Sequence, residues 1–172
     1  IGALLPEHPK LLVSGINAEE NLGQDVHYSG TVAAAVKGCF AGIPSLAVSI
    51  ERAPKIHFET ASDVASRVAR AVIRNGLPDN ILLNVNVPNL PVSDICGIEI
   101  TRQDQETYEP KVFVREDPRG RKYYWITGDR GLAEDRTGTD IEAVENRKVS
   151  ITPLRPDFTD YEAKSKIERW EI

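Results

Sequence analysis

Two asparagines and a Ser-Gly-Thr triplet are the residues of this chain best suited to chemistry. Asn17 and Asn21 lie four apart in a loop rich in Gly, Asn and Asp, and Ser29-Gly30-Thr31 closes that loop. Side-chain amides present neutral oxygens and N–H groups, which orient a metal ion or a phosphate without adding charge. Ser29-Gly30-Thr31 stands directly before the Ala-rich helical pattern Val32-Ala33-Ala34-Ala35. The first N–H groups of a helix have no internal partner, and the helix dipole places partial positive charge there, so the triplet is a candidate anion cradle. Taken alone, Asn17 and Asn21 are equally good turn formers, and Ser29 is an ordinary helix cap. A cap and an anion site are compatible, because both use the same orphan N–H groups.

The elements that must position these residues follow from periodicity. The apolar run over residues 11–14 reads as a short buried strand emptying into the loop. Residues 31–40 read as a helix, with Val32, Val36 and Phe40 on one face. Residues 45–50 are a mostly apolar strand of the kind buried in a parallel sheet. Thr60 is a good N-cap with Asp63 in the first turn, and Ala61, Val64, Ala65, Val68, Ala69, Val72 and Ile73 form one apolar helix face ended by Asn75-Gly76. Residues 81–88 are a third strand, with Asn84 and Asn86 on the same face. Short strand–helix alternation implies parallel strands with right-handed crossovers. Residues 97–101 and 122–127 alternate like half-exposed antiparallel strands, and residues 149–154 add one more strand. Thr159 with Glu162 forms a capping box before a tail helix with a sparse apolar face, Tyr161, Ile167 and Trp170.

Composition sets outer bounds. At 172 residues the chain can bury one substantial core. A formal net charge of −5 without a basic cluster argues against a nucleic-acid backbone as partner. No apolar run approaches the ~18–20 residues that span a bilayer. Cys39 and Cys96 are isolated, without C-x-x-C or metal spacing, as expected of free thiols in a reducing, cytoplasmic setting. The sequence contains no Met, and residues 1–6 read as the tail of a helix already under way. The expectation is that the sequence begins inside a longer protein.

The residues also carry a resemblance. Ser14-Gly15-Ile16-Asn17, Asn21-Leu22-Gly23, Asp25-Val26 and Tyr28-Ser29-Gly30-Thr31-Val32-Ala33-Ala34-Ala35 together resemble the signature of the survival protein SurE family, metal-dependent 5'-nucleotidases. The likeness continues at Gly42-Ile43-Pro44-Ser45-Leu46-Ala47-Val48-Ser49, Asn84-Val85-Asn86-Val87-Pro88, Asp117-Pro118-Arg119-Gly120, Tyr124-Trp125-Ile126, Gly138-Thr139-Asp140 and Val149-Ser150-Ile151-Thr152-Pro153-Leu154. These segments occur in order along nearly the whole chain.

The resemblance implies a three-layer αβα sandwich with a Rossmann-like, mostly parallel sheet. Residues 1–100 would be the core, 101–148 a protruding β-hairpin region, and 149–172 a strand with a C-terminal helical arm, all within a single domain. It further implies that Asn17 is a ligand of one divalent metal ion per subunit, Mg²⁺ or Mn²⁺, and that Asn21, Ser29, Gly30 and Thr31 hold the substrate phosphate, Asn21 with a catalytic role. The expected reaction is hydrolysis of nucleoside 5'-monophosphates to nucleoside and phosphate, with polyphosphate as a second substrate. Subunits would pair as a homodimer or tetramer through an exchanged arm. The other ligands of the family's metal, two adjacent aspartates and a serine, are expected upstream of Ile1.

One departure stands inside the loop: Glu19 occupies a position where the family usually has Gly, and a positive φ there would strain it. The remaining candidates read as structural. Asp25 fixes the loop, His27 sits where the family usually has an apolar residue, His8 and His57 lack partners in sequence, Asn84 and Asn86 brace the loop, and Thr139 with Asp140 forms a turn. Arg119 and Tyr124 read as a solvated hairpin face, with reach toward a base or ribose as the functional alternative. The rival to catalysis is an anion- or nucleotide-binding module without a metal. A dinucleotide-binding dehydrogenase is disfavoured, since no G-x-G-x-x-G follows a strand.

Overall fold

A computed structural model of the chain describes residues 5–105, 108–130 and 135–171. Residues 1–4, at the start of the segment read as a helix tail, lie outside the described residues. In chain order the elements are β1 (Leu12–Asn17), α1 (Gly30–Phe40), β2 (Ser45–Ile50), α2 (Phe58–Asn75), β3 (Leu82–Val87), β4 (Ile98–Ile100), β5 (Tyr108–Glu116), β6 (Lys122–Arg130), α3 (Asp140–Glu145), β7 (Val149–Leu154) and α4 (Tyr161–Ile167). A 3₁₀ turn, Gly23–Tyr28, joins the polar loop to α1.

The main sheet runs β1-β2-β3-β7-β4. β1, β2 and β3 are parallel, β7 lies antiparallel to β3, and β4 is parallel to β7. Every residue of β2 is buried, which is why its sequence is continuously apolar or small rather than alternating. One face of the sheet (Leu46, Val48, Ile50, Val85, Val87, Val149, Ile151) packs against Ala61, Val64, Val68 and Val72 of α2. On the other face Val32, Ala35 and Cys39 of α1 meet Ala47 and Leu82. The architecture is therefore the expected three-layer α/β fold with a mostly parallel sheet.

α1 lies close to the sheet at Gly38. A Cβ there would stand 2.3 Å from Ser45 Oγ and 2.8 Å from Leu12 Cδ1. Only Gly admits that approach, and it sets the height of the helix over β1 and β2.

Several local expectations shift. α2 begins at Phe58 with His57 as its N-cap residue, not at Thr60. Thr60 is one turn inside, its hydroxyl donating to the Leu90 carbonyl, while Asn89 Oδ1 accepts the His57 N–H. Residues 97–101 read as an antiparallel strand, but β4 joins the main sheet parallel to β7. The hairpin partner of β6 is β5, which contains Pro110; a proline is tolerated in a two-stranded ribbon with open edges. Within residues 101–148, the hairpin itself is Tyr108–Arg130, and α3 packs Ile141 and Val144 against Leu22 of the polar loop. The cap of α4 is Asp160, whose Oδ1 accepts from the N–H groups of both Glu162 and Ala163. Thr159 is one residue too early, its N–H held by Asp157. No helix of the described residues is long and apolar enough to cross a membrane.

Candidate active site

β1 ends in a bulge. Its register with β2 is regular through Ser14 opposite Ala47 and resumes at Asn17 opposite Ser49. Gly15 makes this possible: its φ is +130°, and a Cβ would stand 2.3 Å from the Val48 carbonyl oxygen. Asn17 thus arrives at the C-terminal end of β1. Its Nδ2 donates to the Glu19 carbonyl at 2.6 Å, which fixes the amide plane and leaves Oδ1 without a donor among the described residues.

Asn21 is buried and held on every side. Its N–H donates to Asn86 Oδ1 at 2.8 Å, and its carbonyl accepts from Asn84 Nδ2 at 2.8 Å and Asn86 Nδ2 at 3.1 Å. Its own Nδ2 donates to Ser49 Oγ at 2.6 Å and stands 3.5 Å from the Glu19 carbonyl. That second contact is too long to hold the remaining proton firmly. Ser49, Asn86 and Ser150 face one another in register across β2, β3 and β7, all fully buried. This polar row inside the sheet is the platform on which the loop rests.

The chain then enters α1 through Ser29, whose Oγ accepts the Val32 N–H at 3.1 Å. The Gly30 and Thr31 N–H groups have no acceptor among the described residues, and a Cβ at Gly30 would meet nothing within 4 Å. Free donors facing open space at a helix N-terminus suit an anion. The end of β1 and the start of α1 both lie at the carboxyl edge of the parallel strands, where open α/β sheets bind ligands.

A hard divalent ion takes several oxygen ligands, mostly anionic or water. Asn17 Oδ1 fits as one of them. Among the described residues no group of three His, Cys, Asp or Glu could hold a metal. Glu19 and Glu20, the acidic residues nearest in sequence, are turned to Arg52: Glu19 Oε1 pairs with its guanidinium at 3.2 Å and Glu20 Oε2 accepts its backbone N–H at 2.9 Å. Glu19 does not adopt a positive φ, so the strain expected there is absent and its carbonyl is free to take the Asn17 amide.

Comparison with known proteins decides the family. The Survival protein SurE family model matches residues 1–110. The chain belongs to the SurE family.

A curated relative from Pelobacter propionicus, named 5'-nucleotidase SurE, is 47% identical over 171 residues, covering 99% of this chain and 69% of its own length. A relative from Yersinia pseudotuberculosis, named 5'/3'-nucleotidase SurE, is 45% identical over 170 residues, covering 99% of this chain and 66% of its own. The crystal structure of a SurE protein from Aquifex aeolicus superposes with a TM-score of 0.82 at 41% identity, over 94% of this chain and 65% of that one. The present chain thus spans about two thirds of the length of these SurE proteins.

Of the other sequence candidates, Asp25 and His27 lie within the loop, and Arg119 and Tyr124 lie on the β5–β6 hairpin. His27 is exposed, its ring 5.5 Å from that of Phe158 and its Nε2 3.3 Å from Gln103 Nε2. Arg119 lies in the β5–β6 turn with its N–H held by Asp117, and Tyr124 is exposed on β6. Asp25 sits in the 3₁₀ turn, its N–H donating to the Leu22 carbonyl.

Sequence reasoning missed a second set of anchors. Asp140, at the start of α3, is fully buried, and Gln103 follows β4; both reach Gly23, two residues beyond Asn21. Burial pushes the Asp140 carboxyl above the ordinary aspartate range. Three backbone N–H donors oppose that shift, and the neighbouring Asp104 carboxyl adds to it. Arg136, 3.6 Å from Asp104 and 3.0 Å from Glu145, supplies the compensating positive charge.

Proposed function

We propose that this chain forms the phosphate-holding part of a metal-dependent 5'-nucleotidase that hydrolyses nucleoside 5'-monophosphates to nucleoside and phosphate. The observation that carries the reading is the loop from Asn17 to Thr31, in a chain whose SurE relatives are named nucleotidases. Phosphate monoesters hydrolyse so slowly unaided that enzymes must supply accelerations of up to ~10²¹-fold. Most of that comes from positioning and from charge placed at the phosphoryl oxygens.

In this reading the Gly30 and Thr31 N–H groups and the Ser29 hydroxyl donate to the non-bridging oxygens. The loosely held proton of Asn21 Nδ2 turns to the same phosphate. Asn17 Oδ1 is a neutral ligand of one Mg²⁺ or Mn²⁺ ion per subunit; when bound, that ion polarises the phosphoryl group and offsets its charge. Polyphosphate, a chain of the same anion, is the natural second substrate. The tail exposes Phe158, Tyr161, Ile167 and Trp170, which supports an arm that packs on a second subunit in a homodimer or tetramer. The unpaired thiols of Cys39 and Cys96 support a cytoplasmic setting.

The test is phosphate release from a panel of nucleoside 5'-monophosphates by the full-length protein, with Mn²⁺ or Mg²⁺ and then with excess chelator. Turnover with metal that stops with chelator is the expected result. Nucleotide binding without turnover under any metal would favour the non-catalytic module instead.

A further inference from the structure

We propose that Asp140 is a positioning residue for the phosphate-holding turn, acting through the backbone of Gly23. This rests on the function proposed above.

The turn is gripped at two alternate residues. At Asn21 both backbone groups are taken by Asn84 and Asn86 of β3. At Gly23 the N–H donates to Asp140 Oδ2 at 2.9 Å across 117 positions of sequence, and the carbonyl accepts from Gln103 Nε2 at 2.7 Å. β3 fixes one end of the turn, and the start of α3 with the segment after β4 fixes the other. Between them Leu22 is pinned by Ile141 and Val144 of α3. The direction in which Asn21 presents its amide therefore depends on α3, an element that contributes no side chain to the cradle.

Asp140 divides its two oxygens unequally. Oδ1 accepts from the N–H groups of Asp104 and Ile141, at 2.9 and 3.0 Å, and among the described residues Oδ2 accepts only from Gly23. An asparagine has one acceptor oxygen. In Asp140→Asn that oxygen stays with the two donors, and the amide NH₂ faces the Gly23 N–H, donor against donor. The substitution breaks the tie to the turn and leaves α3 capped. Burial raises the Asp140 carboxyl above its ordinary range by opposing its charge, a cost that a neutral amide of the same shape does not carry.

The experiment compares wild type, Asp140→Asn, Gln103→Ala and Val68→Ala in the full-length protein. Val68 lies on α2, on the opposite face of the sheet, and serves as the control for general loosening. Measured are kcat and KM for a nucleoside monophosphate, inhibition by inorganic phosphate, the Mn²⁺ concentration giving half-maximal rate, and the thermal midpoint. Misplacing a binding group by about 1 Å costs on the order of 100-fold. Asp140→Asn should lower kcat/KM by ~10- to 100-fold and weaken phosphate inhibition in step, with the Mn²⁺ dependence unchanged. Gln103→Ala, half-exposed and safe for folding, should do the same more weakly and keeps the test alive if Asp140→Asn does not fold. Val68→Ala should leave kcat/KM within twofold. Wild-type kcat/KM and phosphate inhibition in both loop variants would overturn the proposal, as would a Mn²⁺ dependence that shifts as far as phosphate inhibition. A wild type that releases no phosphate would instead sink the nucleotidase reading itself.

Discussion

Asn86 Oδ1 accepts the backbone N–H of Asn21 at 2.8 Å, across 65 positions of sequence and inside a fully buried polar row. The same side chain returns a hydrogen bond from Nδ2 to the Asn21 carbonyl. A single amide thus serves as a two-point splint for the loop that carries the candidate site.

Asn86→Ala removes that splint and leaves the Asn21 N–H buried without an acceptor. An unsatisfied buried donor costs about 1–3 kcal/mol. Chemical denaturation should show a loss of that size. Phosphatase activity should fall further than stability does at temperatures where the fold is intact.

Ser29 separates capping from anion binding. Ser29→Ala forfeits the hydrogen bond to the Val32 N–H and should cost about 1 kcal/mol. Ser29→Asp keeps an acceptor for that N–H and should hold the thermal midpoint near wild type. Its negative charge beside the cradle should nonetheless raise KM for a phosphate monoester at least ~10-fold. Equal activity of the Asp variant and wild type would mean that the phosphate does not sit at the start of α1.

Gly38→Ala tests how α1 is set over the sheet. The new methyl would stand 2.3 Å from Ser45 Oγ, so the helix must lift or Ser45 must turn. Overpacking of this kind costs about 1–3 kcal/mol. The thermal midpoint should drop although helix propensity favours alanine.

In the tail, Tyr161 Oη donates to Asp157 Oδ2 at 2.6 Å and Thr159 adds its N–H, which together lower the Asp157 carboxyl to about 2. A depressed carboxyl contributes order that is present above the unfolded value of ~3.9 and is lost as pH falls through the folded one. The contact should therefore persist at pH 4 and release near pH 2. Carboxyl-carbon NMR titration of Asp157, with Tyr161→Phe moving its midpoint upward, checks the assignment.

The strand–loop–helix unit was legible because its signals are local: an apolar run, turn residues, then a cap and a helical period. The same holds for the apolar face of α2. What was not legible depends on pairing distant segments. Asn84 and Asn86 share a face by simple alternation, but their meeting with Ser49 and Ser150 needs the register of β2, β3 and β7. Asp140 reads as a turn residue until α3 places it beside Gly23. Thr60 carries the composition of a cap, yet the Leu90 carbonyl claims its hydroxyl, a partner 30 positions away. β4 alternates as a half-exposed strand should, and alternation alone does not say which strand it joins.

The central claim is that Asn17 and the start of α1 together hold a metal and a phosphate. Its most direct test is phosphate release from a nucleoside 5'-monophosphate by full-length wild type and Asn17→Ala, each titrated with Mn²⁺. Asn17→Ala should keep the wild-type thermal midpoint, require far more Mn²⁺, and lose at least ~100-fold in kcat/KM. Wild-type turnover and Mn²⁺ dependence in that variant would contradict the account.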